Sequence, residues 1–271
     1  PGYITSAGQE VSAGPLFWLE GWEYLWEEGR SLLRLRLADG WGLLRAWRAR
    51  HQVVWNSNQE TVAGMVGYFL GLVGLPLDAS GASAQALSLR PEFTLAPGER
   101  GETAVRRLLA KVSDLLLFRG RVGVLKATRS DARTDYTFGP QHPVLGGRYG
   151  QAAPQSTRVQ AFGGAGMGEA FRWDRVPLLG ERLRQVRDLT LALESDLLAR
   201  AGVEAERSRL EEVVAELLVP PHCGQEVGDV VAVTEPRFGL EGARFRVVGI
   251  TWEFSRTGRP AFRQRLRLAG V

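Results

Sequence analysis

Two β-rich runs close to the end of the chain do most to limit what it can fold into. Residues 224–234 carry Val230, Val231 and Val233 behind the turn pair Gly228-Asp229. Residues 243–254 follow the second turn pair, Gly239-Leu240, and include Phe245, Val247, Val248, Ile250, Trp252 and Phe254. Gly, Pro and acidic residues break these runs into strand lengths, as expected of a compact, rigid β-barrel. Residues 262–268 continue the pattern: Arg263, Arg265 and Arg267 alternate with Gln264, Leu266 and Leu268, predicting a strand with one solvated or partner-facing side. Nothing in this region offers paired carboxylates, a hydroxyl beside a base, or metal ligands at workable spacing.

The start of the chain shows the same period. Leu33, Leu35 and Leu37 alternate with Arg34 and Arg36, and Trp18, Trp22, Tyr24 and Trp26 occupy alternate positions before them. With Glu27-Glu28-Gly29-Arg30 as a turn, this predicts a β-hairpin whose aromatic row serves packing rather than sugar binding. Asp39 is placed to cap a short helix containing Trp41, Leu44 and Trp47. Residues 60–73 read as a helix with Val62, Val66, Phe69, Leu70 and Val73 on one side. Gly64, Gly67 and Gly71 inside it would allow close packing, and Gly74 and Pro76 would end it. Residues 78–86 read as an exposed loop, 87–95 as a strand, 102–117 as a second helix and 122–125 as a strand. This order predicts a small α/β domain.

Residues 136–150 are turn-rich, and 159–162 form a strand. The glycine-rich segment 163–168 lacks both a following helix and a Lys-Ser/Thr pair, so it reads as a flexible surface turn rather than a phosphate loop. A helix over 195–209 should face Leu197, Leu198 and Ala201 inward. The remaining strands are predicted at 212–219, 230–234, 245–254 and 262–268. The overall expectation is α+β: β-rich residues 1–55, a small α/β domain over 56–145, and a β-barrel with a helix over 146–271.

Composition narrows the chemistry. The chain has 271 residues and a net charge of +4, spread evenly along its length. A nucleic-acid-binding module would more often concentrate its charge. Only Lys111 and Lys126 are lysines, so the basic side chains are overwhelmingly arginine, which also serves ordinary surface ion pairs. Cys223 stands alone and cannot form an internal disulfide. No run has the length of a transmembrane helix, and no signal-peptide layout is present. The chain lacks an initiator Met, so Pro1-Gly2-Tyr3 is read as either a processed end or the interior of a longer product. His51, His142 and His222 are scattered, and His222 beside Cys223 would need a turn to converge. Glu211-Glu212 and Glu27-Glu28 read as solvated charge at helix ends and turns. No catalytic, cofactor or metal residue is assigned, and a non-enzymatic role is expected.

With these residues in place, the chain resembles the baseplate or tail hub proteins of tailed bacteriophages and related contractile injection machines. Thr61-Val62-Ala63-Gly64-Met65-Val66 through Gly74-Leu75 looks like that family's short helix ending in a Gly-Leu turn. Gly98-Glu99-Arg100-Gly101-Glu102-Thr103, with Leu108-Leu109 and Leu115-Leu116-Leu117-Phe118, is similar to its second helix-to-strand unit. Tyr136-Thr137-Phe138-Gly139, His142-Pro143-Val144-Leu145 and Arg148-Tyr149 resemble the crossing into its next domain. Residues 224–234 and Arg246-Val247-Val248-Gly249-Ile250 resemble its closing barrel. The resemblance implies a homotrimeric ring in the virion tail, with two tube-like barrels per subunit imitating a sixfold tail tube. It also implies neighbours in the tube and at the tip or spike, and DNA passing the lumen without being read. Residues 1–38 are shorter than a complete first barrel. Two other classes stand beside this one: a tail-carried cell-wall hydrolase with two convergent carboxylates, and an arginine-rich nucleic-acid module with steeply salt-dependent affinity.

Overall fold

The structure is a computed structural model, and it describes residues 2–5, 8–11, 14–128, 133–151, 156–164, 166–255 and 261–271. Pro1 and Ala165 lie outside the described residues. The chain forms two bodies, residues 13–127 and residues 1–12 with 128–271. The class is mixed α+β with strands predominating. Among the described residues, no helix is long and apolar enough to cross a membrane.

A short hairpin, β1 (Gly2–Thr5) and β2 (Gly8–Val11), belongs to the second of these bodies. The body of residues 13–127 opens with the predicted hairpin, β3 (Trp18–Glu27) and β4 (Arg30–Ala38). Glu28 and Gly29 close it with φ of 48° and 78°, the paired left-handed conformations that match the twist of adjoining strands. The helix α1 (Gly40–Ala46) begins where Asp39 accepts a hydrogen bond from the Trp41 backbone N–H at 2.9 Å, so the predicted cap is present. After β5 (Val53–Trp55), α2 (Val62–Leu72) is capped by Thr61, whose hydroxyl accepts from the Gly64 N–H at 3.0 Å. Gly74, at φ 74°, ends α2 while the Leu75 N–H reaches back to the Leu70 carbonyl. Of its interior glycines, Gly64 makes room for the Glu60 side chain, whereas a Cβ on Gly71 would meet nothing within 4 Å. The expected close packing therefore does not apply at Gly71.

Residues 78–86 are not the expected loop. They contain β6 (Leu77–Gly81) and the start of α3 (Ala84–Ser88). Ser83 caps α3 through its hydroxyl and donates that same hydroxyl to buried Asp114 at 2.5 Å. The expected strand over 87–95 shrinks to β7 (Phe93–Leu95). The expected helix over 102–117 stops early as α4 (Gly101–Leu109), and β8 (Asp114–Arg119) follows, antiparallel to β9 (Val122–Ala127). Leu115, Leu116 and Leu117 suit either period, and strand pairing decides between them. Phe69, Phe93, Leu44, Leu70, Leu108 and Leu125 form the core beneath α1, α2 and α4.

The other body holds a six-stranded sheet. Its strands are β10 (Tyr136–Phe138), β11 (Gly146–Gln151), β15 (Val213–Val219), β16 (Val230–Glu235), β17 (Leu240–Ser255) and β18 (Ala261–Gly270). The spatial order is β10-β16-β17-β18-β15-β11, with β10 parallel to β16 and every other pair antiparallel. The end strands β10 and β11 do not pair, so the expected barrel is an open sheet among the described residues. Phe138, Leu217, Val231, Val233, Val247, Leu266 and Leu268 make its core.

A smaller sheet is inserted before β15. It comprises β12 (Arg158–Gly163), β13 (Gly166–Phe171) and β14 (Leu183–Arg187), with the one-turn helix α5 (Val176–Leu179) between the last two. The long helix α6 (Glu194–Leu210) lies against β12 and β13. Segment 163–168 is not the surface turn expected throughout: Gly163 ends β12 and residues 166–168 open β13. Gly168 is buried, and a Cβ on it would sit 2.2 Å from the Leu197 backbone carbon, so only glycine lets α6 approach this closely.

Candidate assembly interface

The strongest departure from an ordinary soluble surface is hairpin β3–β4. Its register puts Trp22 opposite Leu35, Tyr24 opposite Leu33, Trp26 opposite Ser31 and Leu19 opposite Leu37, all on one side. These apolar side chains are exposed, with Trp22 at 65% and Trp26 at 79%. The aromatic row was expected to pack, yet among the described residues nothing covers Trp22, Tyr24 and Trp26, while Trp18 is half-buried on the other side of the bulge. An aromatic side chain presents ~150–250 Å². The three aromatics alone therefore leave on the order of 300–500 Å² uncovered, the size of the largest apolar patch on a typical monomer, and the leucines beside them extend it. The opposite side is mixed: Arg34 pairs with Glu23 at 2.9 Å, and Leu25 faces Leu32 beside them.

Hairpin β17–β18 is built the same way. Both hairpins carry a register shift on the first strand, between Leu19 and Gly21 in one and between Val247 and Gly249 in the other. In both, the glycine after the shift faces an arginine, Gly21 with Arg36 and Gly249 with Arg267. The next pair is apolar in both, Trp22 with Leu35 and Ile250 with Leu266, and the strand then alternates through aromatics, Tyr24 and Trp26 or Trp252 and Phe254. The second strand repeats outright: Arg34-Leu35-Arg36-Leu37-Ala38 returns as Arg265-Leu266-Arg267-Leu268-Ala269. The pentapeptide was legible in the sequence, but its meaning depends on the shared bulge, which only the pairing shows.

The two hairpins differ in what surrounds them. Strands β15 and β16 flank β18 and β17, and there Val247, Leu266 and Leu268 are buried. Beyond those flanks the hairpin runs on as two strands alone, and Phe254 is 67% exposed beside Phe262. On the outward side, Glu216 accepts from Arg265 at 2.5 Å and Arg148 at 3.2 Å. The Arg265 hydrogen bond is the main reason its carboxyl is held below the usual range.

The sites considered from sequence stand as follows. His222 and His142 stack with ring centroids 5.5 Å apart, and Tyr136 meets His222 edge-on at 4.2 Å, while Cys223 is buried. Among the described residues, no three His, Cys, Asp or Glu side chains gather into a metal-binding group. Glu27 and Glu28 are exposed. Glu212 is not solvated as expected: it is buried, paired with Arg172 and, at 3.1 Å, with Arg175. Glu204 is likewise buried on α6, within 3.0 Å of Arg184, Arg200 and Arg207. Burial alone would raise its pKa, but the Arg200 hydrogen bond and the three neighbouring charges outweigh that, and the net direction is down.

The fold that carries these uncovered apolar faces and buried arginine–carboxylate pairs is similar to that of phage tail proteins. The tail protein from Neisseria meningitidis MC58 superposes with a TM-score of 0.72 at 15% identity, over 93% of this chain and 79% of that one. The 43 kDa tail protein of prophage MuSo2 from Shewanella oneidensis gives 0.65 at 13% identity, over 93% and 76%. Prophage tail protein gp18 from Listeria monocytogenes EGD-e gives 0.64 at 12%, over 94% and 77%. At these identities the likeness is one of fold. No family model matches the chain, and no curated protein matches it in sequence.

Proposed function

We propose that this chain is a structural ring component, a hub, of a phage tail or tail-like particle, located in the virion tail and without a catalytic role. Copies close into a ring, a trimer, that joins the tail tube to the tip and lets DNA pass through its lumen unread. The observation that carries this reading is the pair of like hairpins in one chain. A trimer presents six such hairpins, two from each chain, which is how a threefold object would meet a sixfold tube. Residues 1–55 then supply the β-rich part of a first tube-like domain, 56–145 the α/β domain and 146–271 the second tube-like domain. Closure with neighbouring copies would cover the face of Trp22, Trp26 and Leu35 and stop growth at a ring.

Light scattering of the full chain across concentration and salt tests this, with negative-stain imaging for a central hole. A stable trimer or holed rings supports the hub. A monomer at every concentration, also in the presence of a tail-tube protein, removes it.

A further inference from the structure

On the outward side of the six-stranded sheet, charge alternates from strand to strand. Glu253 of β17 faces Arg263 of β18, Arg267 of β18 faces Glu216 of β15, and Glu216 faces Arg148 of β11. Opposite charges at directly paired positions stabilise a sheet, and like charges destabilise it. The series stops at β11, because among the described residues no strand lies beyond it. Arg148 is left sharing Glu216 with Arg265, and its side chain is 71% exposed. A Cβ on Gly146, which points the same way as Arg148, would meet nothing within 4 Å, so this side of β11 is clear for a neighbour.

Hairpin β3–β4 holds the next two members of that series. On the side away from its aromatic row, Glu23 and Glu27 stand on β3 and Arg34 and Arg36 on β4, around the Leu25–Leu32 pair. Setting the acids of β3 beside Arg148 also sets Trp22 and Tyr24 on the side of Tyr149, which packs against the sheet's core. Among the described residues neither edge of this hairpin has a strand beside it, and two strands alone are marginal in water. Its twin β17–β18 is flanked on both edges.

The same charges disfavour other edges. Strand β4 on β11 would set Arg34 and Arg36 against Arg148, and two β3 edges together would bring acid to acid. Strand β10 is three residues long and has no charged side chain. Strand β3 on a second copy's β4 would match in charge. It would leave β11 bare, however, and join two hairpins that are exposed on both sides, so no apolar face would gain a core.

We propose that β3 of one copy pairs edge to edge with β11 of a second copy, so that the hairpin extends its neighbour's six-stranded sheet. This rests on the reading of the chain as a ring of like copies, and it names the two surfaces that join them. Main-chain hydrogen bonds hold the added strand, and matched charge selects the edge and the side. The two surfaces differ, so the contact is head to tail: every copy gives a hairpin and receives one, and growth stops where the rotation closes.

Two variants of the full chain test this, with light scattering for mass and circular dichroism for fold. Trp22→Ser with Trp26→Ser disables the hairpin and keeps β11. Gly146→Glu with Arg148→Glu keeps the hairpin and sets acids against its acidic strand. Each should raise the concentration of half-assembly about tenfold or more. Where the wild type is just assembled, each alone should be a single chain, and their mixture should give a particle of two chains, since one good edge meets one good hairpin. Gly146→Lys changes the same strand with the opposite charge and should keep or tighten assembly, which separates charge matching from damage to β11. An edge variant that assembles like wild type, a mixture that stays monomeric, or a Gly146→Lys variant as poor as the acidic one overturns the pairing. Wild-type rings with an unaffected edge variant sink this contact and spare the hub. A two-chain mixed particle beside open wild-type filaments keeps the contact and removes the hub.

Discussion

At the scale of single residues, close approaches and buried charge set the structure. Gly168 meets the backbone of α6, which no side chain can displace cheaply. Gly168→Ala should cost about 1–3 kcal/mol, the usual penalty for overpacking, measured by urea denaturation. An unchanged midpoint would mean that α6 does not lie where its contacts place it. Glu204 yields a pH prediction. Its folded pKa lies below the ordinary carboxylate value, so its stabilisation is fully present above the unfolded pKa and is lost as pH falls through the folded one. Glu204→Gln removes the carboxylate that Arg184, Arg200 and Arg207 share and should cost about 3–5 kcal/mol at neutral pH. The stability gap between wild type and variant should close as the solution is acidified. A gap constant down to strongly acid pH would show that the carboxylate charge does not matter. None of this was legible beforehand: Glu204 in a charged helix looks like any solvated side, and a glycine in a turn gives no hint of a helix behind it.

Among elements, the two hairpins make a direct comparison. Leu35 and Leu266 occupy the same position of the same bulged hairpin, but Leu35 is exposed while Leu266 is fully buried. In dilute solution Leu266→Ala should cost about 2–5 kcal/mol. Leu35→Ala should stay within about 0.5 kcal/mol, as surface changes do. Equal costs would mean that β3–β4 is covered within its own chain. Hairpin β3–β4 was plain in the sequence, because period-2 alternation and a Glu-Gly turn leave little choice, whereas β17 and β18 were legible as strands and not as a pair. The α4–β8 boundary was not, since the leucines of 115–117 serve a helix as well as a strand, and only pairing with β9 settles it. Likewise the 78–86 segment, rich in Ser, Ala and Gly, hides a strand and a helix start that depend on Asp114 holding Ser83.

For the whole molecule, an apolar hairpin face left open by a single chain makes stability depend on concentration. The thermal midpoint should rise with protein concentration, because association favours the folded form by mass action. Trp22→Ser with Trp26→Ser should abolish that dependence and reduce binding of an apolar dye, while leaving the dilute midpoint unchanged. A concentration-independent midpoint in the wild type would show that the exposed face has no partner among its own copies. Local chemistry set what the sequence determined alone: strand and helix type from hydrophobic period, caps at Asp39, the turn at Gly29, and alternation of arginine with leucine along β4 and β18. Those are contacts within a few residues, fixed by backbone sterics and side-chain periodicity. Tertiary structure decided which of two like hairpins became core and which carboxylates were buried among arginines. Each of these depends on residues far apart in the chain meeting in space, and periodicity carries no record of distance.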